Sequence, residues 1–306
     1  MAKIALIFIS LGLGMYLRKQ LREPEKLAKL LNQYLIFVVL PAIALKYLPT
    51  LPLSPELLLP IAAAWLSFLL AWGFFHLIGS WRNWGPGTIG CLTLTGGLAN
   101  TSFVGFPIID ALYGTEGLKI ALLIDQAGSF ILVSTLAVIV ANTYSAAKSS
   151  KSSLVKKVIT FPPFLFFIIG ISMNLLELTV HPILGFGLET LAQSLTPVAL
   201  GAVGLQLQIE KSAFRDRQLW TGLTFKLLLL PAGIWLLFGG LSPLGGLPLK
   251  ITVLEMAMAP MITGSILAIS YNLNPRLASL MVGVGIPLSF LTIALWYWVV
   301  ESFILA

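Results

Sequence analysis

Long apolar stretches separated by short charged or turn-forming segments dominate the pattern of this chain. Ten stretches can be delimited, and most approach the roughly 17 to 25 residues that a membrane-spanning helix needs. They cover residues 3–17, 27–48, 55–79, 87–112, 117–145, 158–176, 184–208, 218–240, 247–271 and 276–304. The first follows Lys3 as a signal peptide would, but no small-residue cleavage site comes after it. The pattern therefore predicts an all-α integral membrane protein with ten transmembrane helices.

Composition supports a lipid environment and argues against several kinds of chemistry. Hydrophobic residues make up 58% of the 306 residues and charged residues only 10%, against roughly 25% charged in an ordinary soluble domain. The single cysteine, Cys91, cannot form an intramolecular disulfide, and no zinc or haem spacing is visible. We therefore expect neither a metal site nor a cofactor.

Basic residues mark the orientation, because Lys and Arg are retained on the cytoplasmic side of a membrane. With the loops numbered alternately, one side collects 14 of the 19 Lys and Arg and the other side only four, while Lys226 falls inside a span. Both termini are therefore predicted to face outward. The same bias explains the net charge of +7, which is no indication of a nucleic-acid partner. A multi-pass protein of a bacterial inner membrane is the expectation.

Corresponding spans in the two halves share glycine and proline positions, which indicates an internal repeat. Pro41 with Pro197 and Gly14 with Gly170 are 156 positions apart, and Pro107 with Pro260 are 153 apart. Five spans in each half would insert the second half upside down relative to the first. The sequence thus predicts two inverted five-helix repeats, residues 1–146 and 158–306, joined by a cytoplasmic linker over residues 147–157.

Two segments at corresponding positions, "ANTSFVGFPI" (Ala99–Ile108) and "MAMAPMITGSI" (Met256–Ile266), combine polar residues with a proline inside apolar spans. Proline cannot continue a helix but suits the start of a new one, so two half-helix N-termini would point to the centre and favour an anion. The alternative is a pair of simple kinks. The candidate substrate-binding residues are Asn100, Thr101, Gly105, Pro107, Pro260, Thr263, Gly264 and Ser265.

The ordered motifs resemble the auxin efflux carrier family of secondary transporters, within the bile acid/sodium symporter-like superfamily. The match is carried by "ANTSFVGFPI", "ALYGTEGLKIALLIDQAGSFIL", "TPVALGAVGLQL", "FKLLLLP", "EMAMAP" and "LAISYNLNP". The resemblance implies ten helices in inverted repeats, with helices four and nine broken and crossing at Pro107 and Pro260. It also implies a homodimer, interleaved scaffold and transport subdomains, and an elevator mechanism for carboxylate or auxin-like substrates.

Carried over by position, Asn100 and Pro107 match the family's Asn-to-Pro motif in helix four, and Pro260 matches the crossover proline of helix nine. The chain departs from many members after that second proline, where an Asn is replaced by Thr263, Gly264 or Ser265. This departure leaves the particular substrate open. The long cytoplasmic loop of the plant exporters is also absent.

Three charged residues lie away from the ends of predicted spans, where charge is costly and often functional: Asp125, Lys226 and Glu255. Asp125 could bind a proton or a sodium ion and couple transport to a gradient, or it could lie near the outer end of its helix and contact water. Lys226 could attract an organic anion, or it could pair with Glu255 and join two helices. Their roles stay open at this point.

Two classes of function follow. The first is a secondary transporter or facilitator that moves a small organic anion across the lipid bilayer, with H+ or Na+ as a possible coupling ion. The second is a membrane-embedded enzyme or structural protein with no carried substrate. We find no carboxylate pair, serine with a base, or histidine cluster that would serve catalysis, and no channel filter motif. The sequence therefore favours a carrier that is not an enzyme.

Overall fold

The computed structural model describes residues 2–145, 161–207, 213, 215–241 and 245–304. Throughout this part of the chain the regular structure is helical, and its one β-type pairing is an isolated bridge. The predicted linker over residues 147–157 lies outside the described residues. The all-α prediction is confirmed for these residues.

Eight α-helices belong to the first half of the chain. They are α1 (Ala2–Gln20), α2 (Pro24–Tyr34), α3 (Leu40–Tyr47), α4 (Leu58–Trp81), α5 (Pro86–Gly97), α6 (Phe106–Leu123), α7 (Ile131–Ser134) and α8 (Leu136–Tyr144). Three π-helical turns adjoin them: π1 (Leu35–Val39), π2 (Thr101–Gly105) and π3 (Ile124–Phe130). Short 3-10 turns cover Leu48–Thr50 and Pro55–Leu57.

The described second half contains eight further α-helices. They are α9 (Pro162–Leu175), α10 (Pro182–Gln193), α11 (Leu195–Gln206), α12 (Arg217–Thr224), α13 (Leu230–Leu241), α14 (Gly246–Ala257), α15 (Ile262–Ser270) and α16 (Pro275–Phe303). A fourth π-helical turn, π4 (Phe225–Leu229), joins α12 to α13. Prolines stand in the first turn of several of these helices, where a missing N–H is harmless.

Six helical stretches among the described residues are long and apolar enough to cross a membrane. They are Pro24–Thr50, Pro55–Trp81, Thr101–Tyr144, Pro182–Gln206, Arg217–Gly240 and Pro275–Phe303. The 44-residue stretch contains parts of two predicted spans, and Gly114 interrupts it with a non-helical φ of 64° and ψ of −156°. These stretches fit the prediction of several membrane-spanning helices, whereas the number of ten and the inverted repeat stay predictions.

Large apolar side chains cover much of the outer surface of these helices. Examples with more than half of their surface exposed are Phe8, Leu77, Phe186, Leu236 and Leu291. Water would penalise apolar patches of this extent, whereas lipid tails solvate them, and every backbone group of a helix is already satisfied internally. The exposed apolar surface therefore fits a multi-pass membrane protein.

Three of the four π-helical turns precede a proline by a fixed distance. Pro41, Pro107 and Pro231 each lie two residues beyond the end of a π turn. A proline inside a helix lacks the N–H donor and its ring collides with the carbonyl four residues earlier. A widened turn with i to i+5 bonding removes that conflict locally. These prolines are therefore absorbed within continuous helices and do not end them.

The described chain divides into two compact units. Unit one contains Met1–Ser54, Ser102–Leu122 and Val155–Leu207, and unit two contains Pro55–Thr101, Leu123–Leu154 and Gln208–Ala306. Each unit draws segments from both halves of the sequence. The boundary at Thr101 falls inside π2, so the segment "ANTSFVGFPI" is shared between the units.

Unit one is built on close glycine contacts between helices that are distant in sequence. A Cβ added at Gly14 of α1 would collide with the backbone of Gly201 and Gly204 in α11, and one added at Gly170 of α9 would lie 3.0 Å from Leu48 Cβ beside α3. The two contacts lie at corresponding positions of the two halves, because the same offset of 156 positions separates Gly14 from Gly170 and Leu48 from Gly204. Small residues at these positions permit close helix packing in lipid.

Unit two combines α4, α5, α7, α8 and α12 to α16 around its own core. Aromatic residues fill part of it, with Phe75 and Phe225 in edge contact at a centroid distance of 4.9 Å. A Cβ at Gly96 of α5 would lie 2.6 Å from the Phe75 ring, so the glycine lets the ring approach.

Candidate functional site

Two helix breaks in unit two pair with each other through their backbones. Leu98 to Asn100 separate α5 from π2, and Met258 to Met261 separate α14 from α15. The Asn100 N–H donates to the Ala259 carbonyl at 2.8 Å, and the Met261 N–H donates to the Leu98 carbonyl at 3.1 Å. Ala99 and Pro260 thereby form an antiparallel bridge. We call these two paired segments the crossover.

The crossover satisfies its own backbone where no helix can do so. Buried N–H and C=O groups need partners, and in a membrane that requirement is strict. Pro260 has no N–H, so α14 cannot continue through it. Its ring packs against Gly285 of α16, where an added Cβ would lie 2.7 Å from the Pro260 Cδ atom. Leu98, Ala99, Asn100, Ala259 and Pro260 are all buried.

The prediction that the first break lies at Pro107 is wrong. Pro107 is the second residue of α6, six residues beyond the point where the helix resumes at Thr101. The π2 turn accommodates it, and the first break instead pairs with the second break at Ala99. Gly105 closes π2, and both Gly105 and Pro107 are buried within unit one.

The three candidates after Pro260 lie in the first turn of α15 and differ in their surroundings. Thr263 is exposed, whereas Gly264 and Ser265 are buried. A Cβ at Gly264 would lie 3.1 Å from the Leu94 carbonyl, so this glycine lets α15 pack on α5. The Ser265 hydroxyl donates to the Ala278 carbonyl of α16 at 2.8 Å. Gly264 and Ser265 therefore position α15, and Thr263 points away from the buried interior.

A buried polar cluster lies beside the first break. The Thr101 hydroxyl donates to Asp125 Oδ1 at 2.5 Å, and the Gln126 amide donates to Asp125 Oδ2 at 2.6 Å. All three residues are at most 3% exposed. Hydrogen bonds to an ionised acceptor are the strong ones, so both carboxylate oxygens of Asp125 are held by donors. Asp125 is thus buried, and not at a water-exposed helix end.

Lys226 and Glu255 lie beside the second break, and both are completely buried. The Lys226 ammonium donates to the Met256 carbonyl at 3.0 Å. This carbonyl belongs to the last turn of α14, where a cation complements the helix dipole. Glu255 and Lys226 do not form an ion pair, which would require an N···O distance of 4.0 Å or less. Neither oxygen of Glu255 has a hydrogen-bond partner among the described residues. Lys226 and Asp125 are nevertheless close enough to act on Glu255 electrostatically.

Four polar residues beside the two breaks belong to π-helical turns. Thr101 is the first residue of π2, Asp125 and Gln126 lie in π3, and Lys226 lies in π4. A π turn rotates the following side chains relative to a regular helix, and such turns occur frequently at functional sites. The widened turns therefore direct chemically active side chains toward the two breaks.

Gln126 and the Met256 carbonyl were missed by sequence reasoning. Gln126 directly follows Asp125, and a second buried polar residue in an apolar span was an available signal. No local signal identified the Met256 carbonyl, because its partner is 30 residues away. Among the described residues, no group of three or more His, Cys, Asp and Glu could hold a metal ion.

Comparison with known proteins assigns the chain to a functional class. A family model described as "Membrane transport protein" matches residues 1–297. The chain is 28% identical to an uncharacterized transporter of Methanothermobacter thermautotrophicus, over 89% of both chains. It is 26% identical to an uncharacterized transporter of Methanocaldococcus jannaschii, over 90% of both chains. The match confirms that the motifs indicated a transporter family, and both relatives come from archaea.

Proposed function

The chain belongs to the membrane transport protein family, and from this premise we propose that it is a secondary transporter of a small organic anion. In this proposal a carboxylate or auxin-like substrate binds at the crossover. Alternating access is of the elevator type, in which one unit carries the substrate while the other serves as a scaffold. The protein is a multi-pass membrane protein, and we place both of its termini outside the cell.

The pairing of the two breaks is the observation that carries this proposal. Irregular backbone at membrane depth is tolerated where it is buried in protein or lines a cavity. In transporters with internal repeats, such interrupted helices form the substrate site near the bilayer midplane. The two segments that pair here come from opposite halves of the chain. A simple kink would need only one of them and no such pairing.

Local charge and the N–H groups at the start of a helix support an anionic substrate. The helix α15 begins directly after the crossover, and its N-cap residue Met261 provides no side-chain hydrogen bond to the first turn. Uncapped N–H groups and the positive end of a helix favour anions. Lys226 places its side-chain amine beside the second break, where it donates to the Met256 carbonyl. Asn100 supplies a side-chain amide at the first break.

The division into two compact units supports the elevator part of the proposal. Such a mechanism requires that one body retains the binding residues as it moves. Asn100, Pro260 and the charged residues Asp125, Lys226 and Glu255 all belong to unit two. We therefore assign unit two as the transport unit and unit one as the scaffold. The homodimer implied by the family resemblance would form through the scaffold.

The test measures anion binding by thermal stabilisation of the purified protein in detergent. A panel of monocarboxylates, dicarboxylates and indole acids is added, since a ligand that binds the native state stabilises it by about 2.7 kcal/mol at a hundredfold excess over its Kd. We expect one class of anion to stabilise the protein and to be transported in proteoliposomes. Asn100→Ala and Pro260→Ala should lose both effects.

Asn142→Ala is the matched control, because Asn142 lies on α8 of the same unit and donates to the Val138 carbonyl of its own helix. This variant should keep binding and transport. Stabilisation that persists in Asn100→Ala would exclude this residue from the site. A complete lack of response to every anion in the panel would refute an anionic substrate.

A further inference from the structure

Glu255 differs from Asp125 and Lys226, the other buried charged residues beside the crossover, in having no hydrogen-bond partner among the described residues. Its side chain is fully buried, and both oxygens lack a partner among the described residues. Asp125, by contrast, receives hydrogen bonds from Thr101 and Gln126 on its two oxygens. Burying an ionised carboxylate without such bonds is costly. Glu255 is therefore suited to bind and release a proton, whereas two donors stabilise the carboxylate of Asp125.

The position of Glu255 on its helix reinforces this difference. Glu255 lies in the last turn of α14, which ends at Ala257, and the negative end of a helix dipole disfavours an anion there. Lys226 offsets part of this effect but directs its ammonium to the Met256 carbonyl. The neutral form of Glu255 is the one that its surroundings accept without further partners.

Among the described residues, two charged groups act on Glu255 from the elements packed around it, Asp125 and Lys226. The described helix α13 carries no titratable residue, and the one on α4, His76, bonds to Tyr144. On α16, Glu301 pairs with Lys250 at 3.0 Å and Arg276 with Asp216 at 3.9 Å. With Asp125, Lys226 and Glu255 all ionised, the cluster has one net negative charge, and one proton neutralises it.

We propose that Glu255 binds one proton in each transport cycle and thereby couples anion movement to the proton gradient. The proposal rests on the anion transport proposed above. An anion that approaches the crossover is repelled by the net negative cluster while Glu255 is ionised. Once Glu255 is protonated, the repulsion is removed and the loaded unit moves with a neutral cluster. Proton and anion then travel in the same direction.

A proton fits this site better than a sodium ion. A hard metal cation needs about six oxygen ligands, and no described hydroxyl or amide lies within hydrogen-bond distance of the Glu255 oxygens. The Lys226 ammonium already donates to the neighbouring Met256 carbonyl. Its positive charge would repel a second cation at this place. A proton requires neither a ligand shell nor that carbonyl.

The first test is spectroscopic and requires no substrate. Infrared difference spectra of the purified protein between acidic and alkaline pH should show a protonated-carboxyl band that is lost in Glu255→Gln. The band should persist in Asp125→Asn and in the control Glu116→Gln, whose carboxylate pairs with Lys119 on unit one. A band that survives in Glu255→Gln, or that is missing from the wild type, overturns the proposal.

The second test measures binding and transport, in proteoliposomes, of the anion found by thermal stabilisation. Because linkage between the bound proton and the bound anion is reciprocal, the Kd of the wild type for the anion should rise by up to about tenfold per pH unit on the alkaline side. Glu255→Gln mimics the protonated side chain, so its Kd should be independent of pH, and proton uptake with the anion should stop. Glu116→Gln should behave as the wild type.

The two proposals fail separately in this design. If no anion binds at any pH, the proposed function fails, while the infrared band still tests Glu255. If the anion binds and Glu255→Gln keeps the pH dependence of the wild type, the proton site fails alone. Sodium-dependent and pH-independent transport would overturn it as well. Should Glu255→Gln fold poorly, Glu255→Asp should retain coupling with a displaced pH profile.

Discussion

Replacement of Gly285 by alanine tests whether close packing on α16 positions the crossover. The added Cβ would lie 2.7 Å from Pro260 Cδ and 2.9 Å from its Cγ, whereas carbon atoms are most favourably about 3.5–4.0 Å apart. The proline ring must therefore retreat by about 1 Å. Because the ring is part of the backbone, the segment from Met258 to Met261 has to move with it.

The energetic cost follows from this overlap. Overpacking a well-filled core by one methyl group costs about 1–3 kcal/mol, and the helix preference of alanine over glycine returns about 0.5–1 kcal/mol of it. We expect the apparent melting temperature to fall, at about 2–4 °C for each kcal/mol lost. Displacement of Pro260 also strains the hydrogen bonds at Asn100 and Met261. Anion affinity should therefore fall by about tenfold, equivalent to about 1.4 kcal/mol.

The assay compares Gly285→Ala with Gly233→Ala on α13 of the same unit. An added Cβ at Gly233 meets no atom within 4 Å, so this control should be neutral or slightly stabilising. Thermal unfolding in detergent and anion titration are measured for both variants. If Gly285→Ala equals Gly233→Ala in melting temperature and in affinity, the contact between Pro260 and Gly285 does not position the crossover.

Two further predictions concern glycines outside the crossover. Gly14→Ala should lower the melting temperature, because its Cβ would lie 2.9 Å from the Gly204 Cα atom. Gly12→Ala, with open space around the added Cβ, should leave the melting temperature unchanged. Equal melting temperatures of the two variants would contradict the close packing of α1 on α11. Gly114→Ala should lower the free energy of unfolding by about 1–3 kcal/mol, because φ is +64° at this position. If chemical denaturation gives the same free energy of unfolding as for the wild type, the kink does not need glycine.

Much of the secondary structure could be read from the sequence because it depends on local properties. The predicted span 55–79 corresponds to Pro55–Trp81, and the span 276–304 corresponds to Pro275–Phe303. An apolar run of sufficient length in lipid has to form a helix, since only a helix satisfies its backbone within one segment. The interruption at Pro260 could also be predicted, because a proline has no N–H to continue the hydrogen bonds of a helix.

The first break was misplaced because two local rules compete at Pro107. The proline alone indicates an interruption, but the π2 turn absorbs it and the helix continues. The actual break at Leu98 to Asn100 contains no proline, and its backbone partners are Ala259 and Met261. A pairing over about 160 positions leaves no signature in either segment alone.

The sequence by itself determined an all-helical membrane chain, the family motifs and the identity of its buried charges. Which of these charges are held by partners was decided by the tertiary structure. Lys226 bonds to the Met256 carbonyl and not to the adjacent Glu255, while Asp125 takes up the donors of Thr101 and Gln126. Hydropathy and spacing depend on neighbours along the chain, whereas the hydrogen bonds of a buried carboxylate depend on which helices meet around it.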